Sequence, residues 1–90
     1  MLNTQTELQW EPTALEKYNK MLTRIPVFHR DIARQVVLKK AGINAKARGS
    51  AHINESDLTQ AFVSEVPKAF YSLMVRIMDE VGLDYKKYHS

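Results

Sequence analysis

Four helix-start signals divide this chain, and they constrain its fold more than any other feature of the sequence. Pro12 suits the first position of a helix, where the missing N–H of proline is no loss. Pro26 restarts the helical pattern after a short turn, Asn54 offers a side-chain cap, and Pro67 opens a fourth segment. No segment alternates polar and apolar residues over the length of a strand. The sequence therefore predicts an all-α fold, a small bundle of three core helices with a fourth, C-terminal helix.

Apolar residues at helical spacing predict which faces of these helices form the core. In the second helix the predicted core face consists of Phe28, Ile32, Ala33, Val36, Val37 and Ala41. Phe28 is predicted to be a core anchor, because it precedes Ile32 by one turn and Val36 by two. Truncation of a buried Phe costs ~3–5 kcal/mol, so Phe28→Ala is expected to lower the urea midpoint. Gly49 and Gly82 are predicted to end the second and fourth helices.

Length and composition indicate one domain. Residues 1–9 are predicted to be a flexible N-terminal arm, residues 10–66 a helical domain, and residues 67–90 a C-terminal helix and tail. The 90 residues include no cysteine, which excludes disulfides, thiolate metal sites and Fe–S clusters. The N-terminus lacks the pattern of a secretory signal, and no apolar run is long enough to span a bilayer. A cytoplasmic location is therefore expected.

Residues 24–48 carry a strong local charge. Seven cations face a single acid, Asp31, so the stretch sums to +6, whereas the whole chain is only +3. The cations are Arg24, Arg30, Arg34, Lys39, Lys40, Lys46 and Arg48. A positive surface of this kind favours an anionic partner, whether a phosphate, a carboxylate or an acidic protein face.

The candidate binding residues are all predicted to lie on this basic second helix. They are His29, Arg30, Arg34, Lys39 and Lys40. Arg30 and Arg34 are one turn apart, so both guanidinium groups are expected to grip one anionic partner. Replacement of both by Gln is expected to leave the thermal midpoint nearly unchanged and to weaken the partner complex, less so at high salt. The alternative is that both are ordinary solvated arginines.

The sequence predicts no catalytic residue, no metal site and no cofactor. His29, His52 and His89 are far apart and lack ligand spacing. Ser50 and His52 are close in sequence, but their position before a helix is typical of a loop. The three glycines are too widely spaced for a phosphate-binding loop. A Met-rich apolar groove for a planar cofactor is an alternative interpretation.

The order of several motifs resembles a known family. The residues are Trp10, Ala14-Leu15, Ile25-Pro26-Val27-Phe28-His29-Arg30, Arg34, Ala41, Gly49 and Ile53 before a capped helix. This order resembles the small helical C-terminal domain of the B subunit of light-independent protochlorophyllide reductase, which also occurs as short standalone proteins in photosynthetic bacteria. The resemblance extends over residues 8–62, and the sequence departs from the family pattern at His29 and at Asn54.

The resemblance implies a docking or substrate-covering module linked to chlorophyll biosynthesis, with a protein partner and, as an alternative ligand, a protochlorophyllide-type pigment. Electrons in the full enzyme come from an Fe–S cluster bound by cysteines of other domains, so the isolated chain is expected to have no reductase activity. Two alternatives stay open. The chain is a component of a multi-subunit protochlorophyllide reductase, or it is a small basic nucleic-acid-binding protein, although Glu55 and Asp57 at the third helix start disfavour phosphate binding.

Overall fold

The computed structural model describes residues 9–88, so most of the predicted N-terminal arm and His89 lie outside the described residues. The helices of this range are α1 (Pro12–Arg24), α2 (Val27–Ala47), α3 (Glu55–Glu65) and α4 (Tyr71–Val81). Short 3-10 turns at Lys68–Phe70 and Tyr85–Tyr88 precede and follow α4. The predicted all-α class is confirmed. Among the described helices, none has both the length and the apolar character needed to cross a membrane.

A two-residue parallel strand pair joins the start of the chain to the loop before α3. In this pair β1 (Gln9–Trp10) lies beside β2 (His52–Ile53). The Trp10 ring stacks on the ring of Tyr18 in α1, with 4.8 Å between the ring centroids. Trp10, which precedes α1, therefore folds back onto that helix. Strands of two residues are too short to show an alternating pattern, so the sequence contains no signal for them.

The start of α3 is held by a capping box, as the sequence predicted. The Asp57 backbone N–H donates to Asn54 Oδ1 at 2.8 Å, and the Asn54 backbone N–H donates to Asp57 Oδ2 at 3.0 Å. The Asp57 carboxylate also accepts hydrogen bonds from Nε and Nη2 of Arg48, at 2.9 and 2.7 Å. Asp57 is only 1% exposed, so this ion pair compensates a buried charge and fixes the end of α2 against α3.

One hydrophobic cluster contains residues from all four helices. Its fully buried members include Met21 of α1, Ala41 of α2, Phe62 of α3 and Met78 of α4. Because α4 contributes to the same cluster as the first three helices, the segment after Pro67 is part of the core. Gly82 ends α4 with a φ of +86°, the left-handed conformation that glycine adopts without strain, and Gly49 follows α2 with a φ of +75°.

The core face predicted for α2 was wrong in its first half. Phe28 is 77% exposed and Ile32 is 67% exposed. The predicted burial of Val37 and Ala41 is confirmed, and Ala45 is buried with them, so that the buried residues of α2 recur every four residues. Ala41 and Ala45 have small side chains, whereas the bulkier Phe28 and Ile32 point away from the core.

The first prediction compares two phenylalanines. Phe62→Ala is expected to lower the free energy of unfolding by about 3–5 kcal/mol, because Phe62 is completely buried. Phe28→Ala is expected to change it by no more than about 0.5 kcal/mol, because most of that ring already contacts water. Urea denaturation of both variants measures the difference. A large loss of unfolding free energy for Phe28→Ala would show that Phe28 belongs to the core after all.

The second prediction concerns the bridge between α1 and α3. Lys17 Nζ donates to Glu55 Oε1 at 2.8 Å and to the Gly82 carbonyl at 3.0 Å. The hydrogen bond from Lys17 lowers the pKa of Glu55 from 4.5. A carboxyl with a lowered folded-state pKa stabilises the fold above its unfolded pKa, and this contribution disappears as the pH falls through the folded pKa. The stability difference between wild type and Glu55→Gln is therefore expected at neutral pH, should decrease as the pH falls below 4.5, and should vanish below the lowered folded-state pKa of Glu55. A difference that persists in strong acid would contradict the assignment.

Candidate functional site

The predicted binding residues lie along one helix but not on one surface. His29, Arg30, Arg34, Lys39 and Lys40 all belong to α2. Arg30 and Lys40 are half-buried, whereas Arg34 and Lys39 are exposed. The residues that the sequence analysis grouped together therefore differ in solvent exposure. They also differ in their hydrogen-bond partners.

Arg30 is held against the end of α1. Its Nη2 atom donates to the carbonyl oxygens of Ile25, at 3.1 Å, and Thr23, at 3.3 Å. The Thr23 carbonyl belongs to the last turn of α1, and the Ile25 carbonyl directly follows this turn. Carbonyls at the end of a helix lack hydrogen-bond donors within the helix. Its Nε atom is buried without a hydrogen-bond partner. Arg30 therefore joins α1 to α2, and the prediction that it also binds a partner stays a prediction.

Arg34 has an acidic neighbour on its own helix. Its Nη2 atom lies 2.7 Å from Asp31 Oδ1, and both side chains are more than half exposed. The backbone carbonyl of Arg34 accepts a hydrogen bond from the Tyr18 hydroxyl at 3.1 Å. Burial of that hydroxyl raises the pKa of Tyr18. The Arg34 side chain remains accessible, but its charge is partly balanced by Asp31.

Ion pairs neutralise much of the basic stretch. Arg24 pairs with Glu80 of α4, and Arg48 pairs with the buried Asp57. Both acids lie outside residues 24–48. The net charge of +6 counted for this stretch alone therefore overstated the positive charge at the surface. Within residues 9–88, the cations of the stretch that form no ion pair with an acid are Arg30, Lys39, Lys40 and Lys46. Of these, Arg30 is engaged by carbonyls, so the lysines carry the positive surface.

A row of exposed apolar side chains runs along the first half of α2. Phe28, Ile32 and Val36 follow each other every four residues and form what we call the apolar stripe. Val27, at the helix start, extends the same exposed surface. Sequence reasoning assigned these residues to the core because the pattern of a buried face and that of an exposed apolar face are identical. The predicted face already included Ala33, Val37 and Ala41, and the repeat that they form with Ala45 was the available signal for the true core face.

A groove lies beside the apolar stripe, between α2 and the connection from α3 to α4. Its volume is about 210 Å³ and its surface is mostly apolar. Its lining residues are Ile25, Pro26, His29, Ile32, Ala33, Val36, Val37, Phe62, Glu65, Val66, Pro67, Phe70, Leu73 and Met74. The His29 ring lies between Phe28 and Phe70, with centroids 4.4 and 5.0 Å away. His29 is thus the one predicted site residue that lines the groove.

The two predicted lysines stand at the end of the stripe. Lys39 and Lys40 lie three and four residues after Val36, which puts them one turn beyond the last stripe residue. A ligand seated on the stripe would therefore meet apolar side chains along its length and positive charge at one end. This combination suits binding.

Residues 9–88 contain no metal-binding cluster, and Ser50 and His52 do not form a nucleophile–base pair. No group of three or more His, Cys, Asp or Glu residues in this range could hold a metal ion. Ser50 Oγ donates to the His52 carbonyl at 3.0 Å and accepts from the His52 backbone N–H at 2.9 Å. These bonds form a tight turn and involve no imidazole nitrogen, so Ser50 is not activated as a nucleophile by His52.

Comparison with known proteins identifies one family. A family model described as "Protein of unknown function (DUF2621)" matches residues 2–90, nearly the whole chain. No curated protein and no solved structure matches the chain.

The third prediction separates the two arginines. Arg30→Gln is expected to lower the free energy of unfolding by about 1–3 kcal/mol, because it removes charged hydrogen bonds to two carbonyls at the end of α1. Arg34→Gln, which removes an exposed pair within one helix, is expected to cost no more than about 0.5 kcal/mol. Thermal and urea unfolding of the matched variants test this. Equal stabilities would show that the Arg30 contacts contribute nothing.

Proposed function

The chain belongs to the DUF2621 family, and we propose that it is a non-catalytic docking module that binds a protein of tetrapyrrole biosynthesis in the cytoplasm. The observation that carries the docking part is the apolar stripe. Three large apolar side chains are exposed in a row beside a groove, and unpaired lysines follow them on the same helix. Exposed apolar surface of this kind marks interaction sites in soluble proteins.

The tetrapyrrole part of the proposal rests on the resemblance of the sequence to the small helical domain of protochlorophyllide reductase. The segment that carries most of this resemblance runs from Ile25 to Arg30. In this fold the same segment forms the turn from α1 to α2 and the first turn of α2. Ile25, Pro26 and His29 line the groove, and Phe28 begins the stripe. The motif that suggests tetrapyrrole biosynthesis and the surface that suggests docking therefore coincide.

The size of the groove favours a protein over a pigment as the direct ligand. Sites for drug-sized ligands have about 300–1,000 Å³, whereas this groove has about 210 Å³. A groove of that volume accommodates a few side chains of a partner. Of the Met residues that suggested a planar cofactor, Met74 lines the groove, whereas Met21 and Met78 are buried in the core.

Charge disfavours the nucleic-acid alternative. Nucleic-acid binding requires cations that converge on one surface. Here Arg24, Arg34 and Arg48 are paired with acids, and Arg30 is bound to carbonyls. Within residues 24–48 the accessible positive charge is thereby reduced mainly to Lys39, Lys40 and Lys46.

The fourth prediction tests the docking function. The immobilised chain is expected to capture an enzyme that acts on tetrapyrroles from a lysate of chlorophyll-synthesising cells, and Phe28→Ser with Ile32→Ser is expected to abolish this capture. Leu15→Ser is the matched control, because Leu15 is an exposed apolar residue on α1. Quantitative mass spectrometry compares the three baits, and circular dichroism confirms that each is folded.

Three results would contradict the proposal. Capture of the same proteins by the double variant would show that the stripe is not the binding surface. Stripe-dependent capture of proteins unrelated to tetrapyrroles would leave a docking module but remove its assignment to this pathway. A shift in the absorption spectrum of added protochlorophyllide, absent in the double variant, would make the pigment itself the ligand.

A further inference from the structure

The apolar stripe has the length and spacing of a helix-binding surface. Phe28 and Val36 are eight residues apart, which corresponds to about 12 Å along the axis of α2. Two to three turns of a second helix would lie along this distance, with every third or fourth side chain turned towards the stripe. The groove beside the stripe offers the recess into which such side chains fit, between α2 and the α3–α4 connection.

The charged residues near the two ends of the stripe restrict which kind of partner can bind there. Lys39 and Lys40, one turn after Val36, form no ion pair in the part of the chain that the structure describes. They can therefore bind carboxylates on a partner without breaking an existing contact. Asp31, three residues after Phe28, is already paired with Arg34. An acidic partner thus gains two contacts at the lysine end and meets a neutralised acid at the other.

From these features we propose that the stripe and groove bind an amphipathic helix of a partner protein, with its apolar side on Phe28, Ile32 and Val36 and its acidic residues against Lys39 and Lys40. This proposal rests on the proposed docking function and adds the chemistry and the orientation of the partner. The lysines select the partner and fix its direction along α2, while the apolar contacts supply most of the affinity.

Two other occupants fit the same surface less well. An anionic lipid surface would meet Glu65, which lines the groove, in addition to the lysines. A second copy of this chain would bring its own Lys39 and Lys40 to the interface, while Asp31, the acid of its basic stretch, is already engaged. An amphipathic helix can place its acidic residues at the Lys39–Lys40 end and apolar residues beside Glu65, and both alternatives are separate outcomes of the experiment below.

The experiment uses two designed helical peptides as probes. Both carry leucines at the spacing of an amphipathic helix, and one carries two glutamates at the turn that would meet Lys39 and Lys40, where the other carries two lysines. Fluorescence anisotropy of each labelled peptide measures binding to the full chain. The glutamate peptide is expected to bind about tenfold more tightly than the lysine peptide at low salt, with a smaller difference at high salt.

Variants of the chain assign the contacts. Ile32→Ser is expected to weaken the glutamate peptide about tenfold or more, whereas Leu15→Ser, the matched surface control, leaves it unchanged. Lys39→Glu with Lys40→Glu is expected to reverse the preference, so that the lysine peptide binds more tightly. Lys46→Gln, which removes an unpaired lysine further along α2, is the control for a general charge effect. Reversal at positions 39 and 40 distinguishes a specific contact from attraction by net charge.

Several outcomes would overturn the inference. No binding of either peptide up to about 1 mM, equal binding of both peptides, or binding unaffected by Ile32→Ser would each do so. Sedimentation with phosphatidylglycerol vesicles, or a concentration-dependent dimer, would also overturn it if Phe28→Ser abolished that behaviour and the peptides failed to bind. If neither peptide binds but the stripe variants still abolish capture of the protein from the lysate, the docking function stands. Only the proposal that the partner presents an acidic helix is then wrong.

Discussion

The buried carboxylate of Asp57 is the contact on which the arrangement of the other helices depends. It accepts hydrogen bonds from Arg48 at the end of α2 and from the backbone of Asn54 before α3, and the Asp57 carbonyl accepts from Asn44. Loss of Arg48 would leave the charge of this carboxylate without its ion-pair partner in the interior. These bonds therefore fix how α2 meets α3, and with it the side of α2 that enters the core.

The exposure of the apolar stripe follows from this arrangement. With its C-terminal end tied to Asp57, α2 buries Val37 and the small residues Ala41 and Ala45 in the core. A close approach of two helices requires small side chains between them, and the bulkier Phe28 and Ile32 are left on the outer side. At the other end, Arg30 binds the carbonyls at the end of α1 and holds the start of α2 in place. The apolar stripe is thus displayed by a helix that is anchored at both ends.

The same anchoring explains why a strongly basic stretch yields a modest positive surface. Arginine has a planar group with several hydrogen-bond donors, and three arginines of the stretch bind other parts of the same chain. Their acceptors are Glu80, Asp57 and the carbonyls at the end of α1. Lysines, whose compact charge is strongly hydrated, remain at the surface. Of the predicted site residues, Lys39, Lys40 and His29 therefore stay closest to the proposed role, and Arg30 has a structural one.

The sequence by itself determined the helical class, the helix starts at Pro12 and Asn54, and the helix ends at Gly49 and Gly82. These features depend on local chemistry, in which a cap, a proline or a left-handed glycine acts within one turn of the chain. Only the tertiary structure decided which of two apolar faces of α2 was buried, which cations were paired, and where the groove lies. Those outcomes depend on residues far apart in the chain, such as Arg24 with Glu80 and His29 with Phe70, whose proximity no local pattern records.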